Sequence, residues 1–272
     1  MSKYKDIIDN MVWSYSRVST YDHCPYEFFL KYIVNNDDEY LAEGNFFAEV
    51  GSFVHSILEK VFNDELKIRE MPNYFSDEFD SNVFYEVNQS TMEKTFENCL
   101  NYFLEEDFDW LKEYQVIGVE KKIYTDIGGN KFIGFIDLLL RHKETKDIVI
   151  VDHKSSAYPF KSDGKSVLKK SKSDFAKYKH QMYLYCKAIY EEYGQFPKYI
   201  MWNHFKDKKI AKVDFCENDY HDAIKWFENI IERIKRDENF DAICGDDKLR
   251  DKEFFYRVNL CPFRSSCEFT DG

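Results

Sequence analysis

Gly134-Phe135-Ile136-Asp137-Leu138-Leu139-Leu140-Arg141 and Ile148-Val149-Ile150-Val151-Asp152-His153-Lys154 are the two runs whose reading decides the fold. Each is an apolar strand that carries an acid, and the polar turn Lys143 to Asp147 joins them. Side chains alternate across a strand, so Asp152 and Lys154 point to the same face. If the two runs pair as a hairpin, Asp137 lies near Asp152. Mg²⁺ and Mn²⁺ prefer hard oxygen ligands, which paired carboxylates supply. A dication relieves the repulsion between the acids, activates a water and stabilises charge on phosphate oxygens. Lys154 adds a point charge for a phosphate oxygen or the attacking water. An Asp-x-Lys alone is common; the Gly-x-x-Asp strand before it and the apolar strand leading into it give it weight. The pattern points to metal-dependent phosphodiester cleavage.

Working outward, Gln115 to Asp126 alternates apolar and polar residues, Gly128-Gly129-Asn130 is a hairpin turn, and Lys131 to Arg141 is the return strand. Downstream, Phe175 to Tyr193 reads as a helix stopped by Gly194 and Pro197. Strands follow over Tyr199 to Phe205 and Ile210 to Phe215, then an amphipathic helix over 218–237 with Ile224, Phe227, Ile230, Ile231 and Ile234 on one face. Upstream, residues 13–34 start with Ser/Thr-rich capping chemistry and run into a helix over Tyr26 to Ile33. Glu49 to Leu66 carries an apolar stripe that includes Phe53, Ile57 and Val61. Residues 70–83, with Pro72, Asn73, Ser76 and Asp80, read as a connector, and 84–113 as helical. The expected fold class is α/β: a central mixed sheet flanked by helices, an N-terminal helical insertion and a C-terminal cysteine-bearing tail. The expected organisation is one domain over 1–272. Its helical part is 10–113, its core 114–240, and its tail 241–272 packs back on the N-terminal helix.

A chain of 272 residues, 44% hydrophobic and 18% aromatic, buries a large core and is not largely disordered. No apolar run approaches the roughly 18–20 residues of a membrane span. Met1-Ser2-Lys3-Tyr4-Lys5-Asp6 lacks an apolar signal core, so a cytoplasmic protein of a bacterial cell or phage-infected host is expected. Seven cysteines there are thiols or metal ligands rather than a disulfide framework. The net charge of −12 argues against nucleic acid as a partner, but phosphate contacts are local. Lys161, Lys165, Lys169, Lys170, Lys172, Lys177 and Lys179 stand against only Asp163 and Asp174 between residues 161 and 179. The segment is either a DNA-binding loop or a solvated one. Richness in Lys, Asn, Asp, Tyr and Phe fits an AT-rich genome, phage or bacterial.

Further motifs stand in a fixed order along the chain. Ser14-Tyr15-Ser16-Arg17 through Tyr21-Asp22-His23-Cys24-Pro25 comes first, then Gly51-Ser52-Phe53-Val54-His55. The acid-bearing strands follow, then Gln181-Met182-Tyr183-Leu184-Tyr185, then Cys261-Pro262-Phe263-Arg264-Ser265-Ser266-Cys267. Together they resemble the PD-(D/E)XK nuclease superfamily. Within it they resemble the RecB-like branch, which includes CRISPR-associated adaptation exonucleases and the nuclease domains of recombination helicase–nucleases. The resemblance implies a Mg²⁺- or Mn²⁺-dependent exonuclease that hydrolyses phosphodiester bonds from single-stranded or duplex DNA ends. The setting would be recombination, repair, phage DNA processing or CRISPR adaptation, with proteins of those pathways as partners.

By motif position, His55, Asp137, Asp152 and the His153 carbonyl would hold the metal. Lys154 would position water, and Gln181 and Tyr185 would flank the site, with Gln181 on the DNA side. His55 and Gln181 also have plain structural readings, as a core histidine and a polar helix position. Glu120 is either a further acid acting through water or a surface residue. The resemblance further implies a [4Fe–4S] cluster on Cys24, Cys261 and Cys267. The family's additional cysteine falls at Val258 here, leaving Cys244 as the nearest substitute. Zinc on the same residues, or buried thiols alone, are the other readings. For function, the alternatives are a non-catalytic DNA- or protein-binding module on a nuclease fold and a site-specific endonuclease.

Overall fold

The computed structural model describes residues 4–34, 42–243 and 253–269. Its helices are α1 (Lys5–Asp9), α2 (Tyr15–His23), α3 (Pro25–Tyr32), α4 (Phe46–Phe62), α5 (Met71–Asn82), α6 (Gln89–Glu105), α7 (Lys172–Tyr193), α8 (Glu217–Arg236) and α9 (Phe254–Asn259). Its strands are β1 (Tyr114–Ile127), β2 (Asn130–His142), β3 (Ile148–Lys154), β4 (Tyr199–His204) and β5 (Lys209–Asp214). They form one sheet in the order β1-β2-β3-β4-β5. β2 and β3 are antiparallel, with Leu138 opposite Val151 and Leu140 opposite Val149. β3 and β4 are parallel, with Asp152 opposite Trp202, and β4 and β5 are antiparallel. The parallel pair needs a crossover, which α7 supplies. β3 lies between two partners and is buried from Ile148 to His153, which explains its unbroken apolar run. The expected mixed α/β sheet is therefore present.

The β1–β2 turn closes on Gly128 and Gly129, at φ 60° and 80°, the left-handed pair of a two-residue hairpin. Asp126 Oδ1 accepts from the Gly129 amide at 2.8 Å. α7 ends at Gly194 in the same left-handed region.

Two compact units divide the chain. One comprises Phe46–Ile123 and Gly134–Ala223. Its helical core is the α4 stripe of Phe53, Val54, Ile57, Leu58 and Val61, packed with Met71, Phe75 and Phe79 and with Cys99, Tyr102 and Phe103. Phe53 and Phe75 stack at 5.6 Å. Each such ring stabilises the fold by roughly 1.5–3 kcal/mol through burial. α5 corrects the sequence reading, which took 70–83 as a connector. Pro72 sits in the first turn, where its missing N–H costs nothing. Met71, Phe75 and Phe79 recur every four residues on the buried face, so burial outweighs the turn-forming character of Asn73, Ser76 and Asp80.

The other unit comprises Met1–Asn45, Tyr124–Ile133 and Ile224–Gly272. Trp13 bridges to the hairpin: its amide donates to the Lys131 carbonyl, and its carbonyl accepts from the Ile133 amide, both at 2.8 Å. Ser14 Oγ caps α2 by accepting from the Arg17 amide. Cys24, in an extended conformation, separates α2 from α3, and Pro25 opens α3. The tail residue Tyr256 donates its hydroxyl to Glu27 at 2.8 Å, and Tyr26 donates to Glu268 at 2.9 Å.

Candidate active site

The acids and the lysine gather at one end of the sheet. Continuing the β2–β3 register one step past Leu138–Val151 sets Asp137 against Asp152. Lys154 Nζ stands 2.8 Å from Asp152 Oδ2 and donates to Gln181 Oε1 at 3.0 Å. Gln181 Nε2 in turn donates to the Tyr185 hydroxyl at 3.2 Å. Gln181 and Tyr185 are four residues apart on α7 and so share a face. Burial works to lower the Lys154 pKa, but the Asp152 and Asp137 carboxylates outweigh it and raise the value, so the ammonium stays charged. The Tyr178 ring, 5.0 Å from Nζ, adds a cation–π contact that sequence reading did not single out.

Gly134 explains how α7 comes so close. A Cβ there would stand 2.5 Å from Tyr185 Cε1 and 2.9 Å from Cδ1. The ring lies directly over the β2 backbone. The glycine of the Gly-x-x-Asp run is thus required by packing, with no unusual backbone angle.

His55, from α4, closes the site from the other side. Its Nε2 lies 2.9 Å from the His153 carbonyl oxygen. A carbonyl only accepts, so Nε2 carries the hydrogen. Burial lowers the His55 pKa, with Asp152 pulling the other way. In the neutral ring Nδ1 is a bare lone pair, 3.5 Å from Asp137 Oδ2. Asp137 Oδ2 also accepts from the His153 amide at 2.7 Å. Burial, and then the nearby Asp152 carboxylate, hold the Asp137 pKa well above the usual carboxylate range. Two electron-rich atoms facing each other call for a proton or a cation between them. A histidine that ligates a metal through one nitrogen while donating its other N–H to a carbonyl is the expected arrangement. The residues present therefore fit a divalent cation.

Glu120 joins this group: one ligand atom from each of His55, Glu120 and Asp137 lies within 4.8 Å of the others. Its backbone φ of 44° interrupts β1. Tyr114 is buried before it and Ile123 and Ile127 after it, so the buried positions change parity across the strand. A bulge of this kind re-aims a side chain. Burial, and then Glu59 and Asp152, raise the Glu120 pKa, so the pocket concentrates negative charge. The sequence offered Gly118 nearby as the local signal, but not the direction of the glutamate.

The His153 side chain points elsewhere. It stacks on Phe62 at 5.9 Å and accepts from Asn203 Nδ2 at 3.1 Å, while Asn203 also donates to the Tyr102 hydroxyl at 2.8 Å. Burial pushes its pKa well down, so it is neutral. Its carbonyl, bonded to His55, keeps a second lone pair.

The lysine segment lies between β3 and α7 and is folded. Phe160 bridges to Val167, the Lys161 amide donates to the Ser166 carbonyl, and Asp163 Oδ1 accepts from the Lys165 and Ser166 amides. The Ser166 hydroxyl, and then these amides, depress the Asp163 pKa to about 2. Lys161, Lys165, Lys169, Lys170 and Lys172 are all exposed.

In the other unit, Cys24, Cys261 and Cys267 line one small cavity of about 20 Å³ together with Tyr256 and Arg257. Burial pushes the Cys261 thiol up to about 12. Val258 is exposed on α9, as a position with no ligand role would be. Cys244 lies outside the described residues. Cys99 and Cys186 are buried core thiols.

A mixed sheet carrying a Gly-x-x-Asp strand, an Asp-x-Lys strand and a half-buried His–carboxylate cluster defines a nuclease core. The chain belongs to the PD-(D/E)XK nuclease superfamily, whose sequence profile matches residues 12–268. Among solved structures, it is similar to a crystal structure from Eubacterium rectale provisionally designated an exonuclease. That match has a TM-score of 0.52 and 15% identity, over 88% of this chain and 87% of the other. None of the curated proteins matches the chain. No helix among the described residues is long and apolar enough to cross a membrane.

Proposed function

We propose that this chain is a Mg²⁺- or Mn²⁺-dependent DNA exonuclease of the RecB-like branch, acting on DNA ends in recombination, repair, phage DNA processing or CRISPR adaptation. The observation that carries the reading is the charged Lys154, held between Asp152 and Gln181 beside the His55–Asp137 pair. His55, Asp137 and Asp152 would hold the metal with the His153 carbonyl, and Glu120 is added as a further ligand on its proximity. When bound, the cation supplies charge stabilisation at the phosphate and a more acidic water. Lys154 stays protonated and orients a water or a phosphate oxygen through its N–H donors. Gln181 fixes the rotamer of Lys154, and Tyr185 fixes Gln181. The exposed lysines before and at the start of α7 would follow a phosphate backbone, which would make binding strongly salt-dependent.

The cysteines extend the same reading: Cys24, Cys261 and Cys267 would hold a [4Fe–4S] cluster with a fourth ligand, for which Cys244 is the candidate. Zinc would draw its thiolates to roughly 3.8 Å of one another, as a tetrahedron with bonds of about 2.3 Å requires. Among the described residues, no three cysteine sulfurs lie within 4.8 Å of one another, so either centre would have to draw them into place. The void is about the size of one water, so the tail would open as a cluster assembles.

Digestion of end-labelled linear DNA and of covalently closed circles, in Mg²⁺, Mn²⁺ or EDTA, tests the catalytic reading. Metal-dependent loss of linear DNA alone, abolished by Asp152→Ala, is expected. Cleavage of circles would make the protein an endonuclease. DNA binding without hydrolysis in any metal would make it a binding module.

A further inference from the structure

α9 buries a positive charge beside the cysteines. Arg257 is 7% exposed, and among the described residues its Nε and Nη1 find no hydrogen-bond partner. Its guanidinium lines the same cavity as Cys24, Cys261 and Cys267. Two carboxylates line the cavity with it among the described residues, the buried Glu27, at 6% exposed, and the half-buried Glu253. Glu27 takes its hydrogen bond from Tyr256 instead, and burial raises its pKa toward the neutral form. A guanidinium does not shed its proton. Burying it with unmet donors is strongly unfavourable unless an anion joins it.

Neutral thiols are not that anion. A metal centre held by them is, because cysteine ligates as thiolate and three or four thiolates leave the centre with a net negative charge. The neighbouring position on the helix, Val258, turns outward at 46% exposed. Of these two adjacent residues, the chain thus presents a cation to the cavity and an apolar side chain to solvent.

We propose that Arg257 is the counter-charge of an anionic thiolate–metal centre built on Cys24, Cys261 and Cys267. In the assembled centre its Nε–H and Nη1–H donate to the thiolate or sulfide sulfurs. This rests on the reading of those cysteines as metal ligands. The charge has a defined consequence for an iron–sulfur cluster: a fixed cation favours the more negative reduced state, so removing it lowers the reduction potential. The fork of donors also holds the sulfurs against loss of metal. Outer-shell partners of this kind typically change metal affinity about 10–100-fold.

The test uses full-length protein purified without oxygen. Iron, zinc and acid-labile sulfide are measured per chain, with the visible spectrum, the rate of metal release to a chelator and, where iron is present, the reduction potential. Wild type, Arg257→Gln, Arg257→Lys and the surface control Val258→Ala are compared. Metal in the wild type, release at least about tenfold faster in Arg257→Gln, and a lower potential support the proposal. Arg257→Lys keeps the charge and recovers the potential, which a merely structural role would not produce. Sulfide with iron identifies a cluster, and zinc without sulfide identifies a zinc site; the counter-charge role holds for either. Wild-type release rate and potential in Arg257→Gln overturn the role of Arg257 while leaving the metal centre standing. Neither iron nor zinc in the wild type overturns the metal-centre reading itself, and Arg257 with it.

Discussion

Gly134→Ala tests how α7 positions Lys154. The added methyl would stand 2.5 Å from Tyr185 Cε1, where carbon atoms settle at about 3.5–4.0 Å. The Tyr185 ring must therefore retreat by about 1 Å or more, and it is 5% exposed, with little free space around it. Overpacking of this kind costs about 1–3 kcal/mol. At about 2–4 °C per kcal/mol, the melting temperature falls by about 2–12 °C. The retreat also carries the Tyr185 hydroxyl away from Gln181, whose carbonyl holds Lys154 at 3.0 Å. A 1 Å error in catalytic geometry costs up to about 10²-fold. Thermal unfolding and the rate of metal-dependent DNA hydrolysis measure the two effects. Gly134→Ala combined with Tyr185→Leu, which removes the ring that the methyl meets, should unfold at a higher temperature than Gly134→Ala alone. Unchanged melting and unchanged hydrolysis in Gly134→Ala would refute this account of the site's packing.

Three further outcomes are expected. Lys154→Met lowers hydrolysis by about two to three orders of magnitude, while Mg²⁺ still raises its melting temperature, as a thermal-shift titration would read. In chelator, stability depends on the raised Asp137 pKa. The contribution is fully present below the unfolded aspartate value of about 3.9 and is lost as pH rises through the folded value, since the buried carboxylate must then ionise. Asp137→Asn removes that loss, so urea midpoints at pH 5 and pH 8 should differ less than in the wild type, and added Mg²⁺ should stabilise the variant less. Phe75→Ala empties a fully buried position between α4, α5 and α6. It should cost about 3–5 kcal/mol in urea unfolding without changing the metal dependence of hydrolysis.

The hairpin that carries the site was legible because its signal is local. Gly128-Gly129, the apolar run of β3 and the acids at 137 and 152 lie within one stretch of chain. The register then follows from turn and pattern together. The amphipathic face of α8 and the stripe of α4 were equally plain. α5 was misread because Pro72, Asn73, Ser76 and Asp80 carry turn chemistry, while its apolar period of four residues spans only three side chains. Glu120 could be placed only once the backbone was known: a single positive φ moves it from one face of β1 to the other. The same holds for the Lys154–Gln181–Tyr185 chain, whose order depends on how closely α7 approaches β2. At Arg257 the residue type gave no hint of burial.

The claim that His55, Asp137 and Asp152 form a metal-dependent hydrolytic centre is tested most directly by anomalous diffraction from crystals soaked in Mn²⁺. A manganese peak within about 2.0–2.3 Å of an Asp137 oxygen and of His55 Nδ1 is the predicted result. It should be absent in crystals of Asp137→Asn. Manganese bound only away from these residues, or none at concentrations that support hydrolysis, would contradict the account.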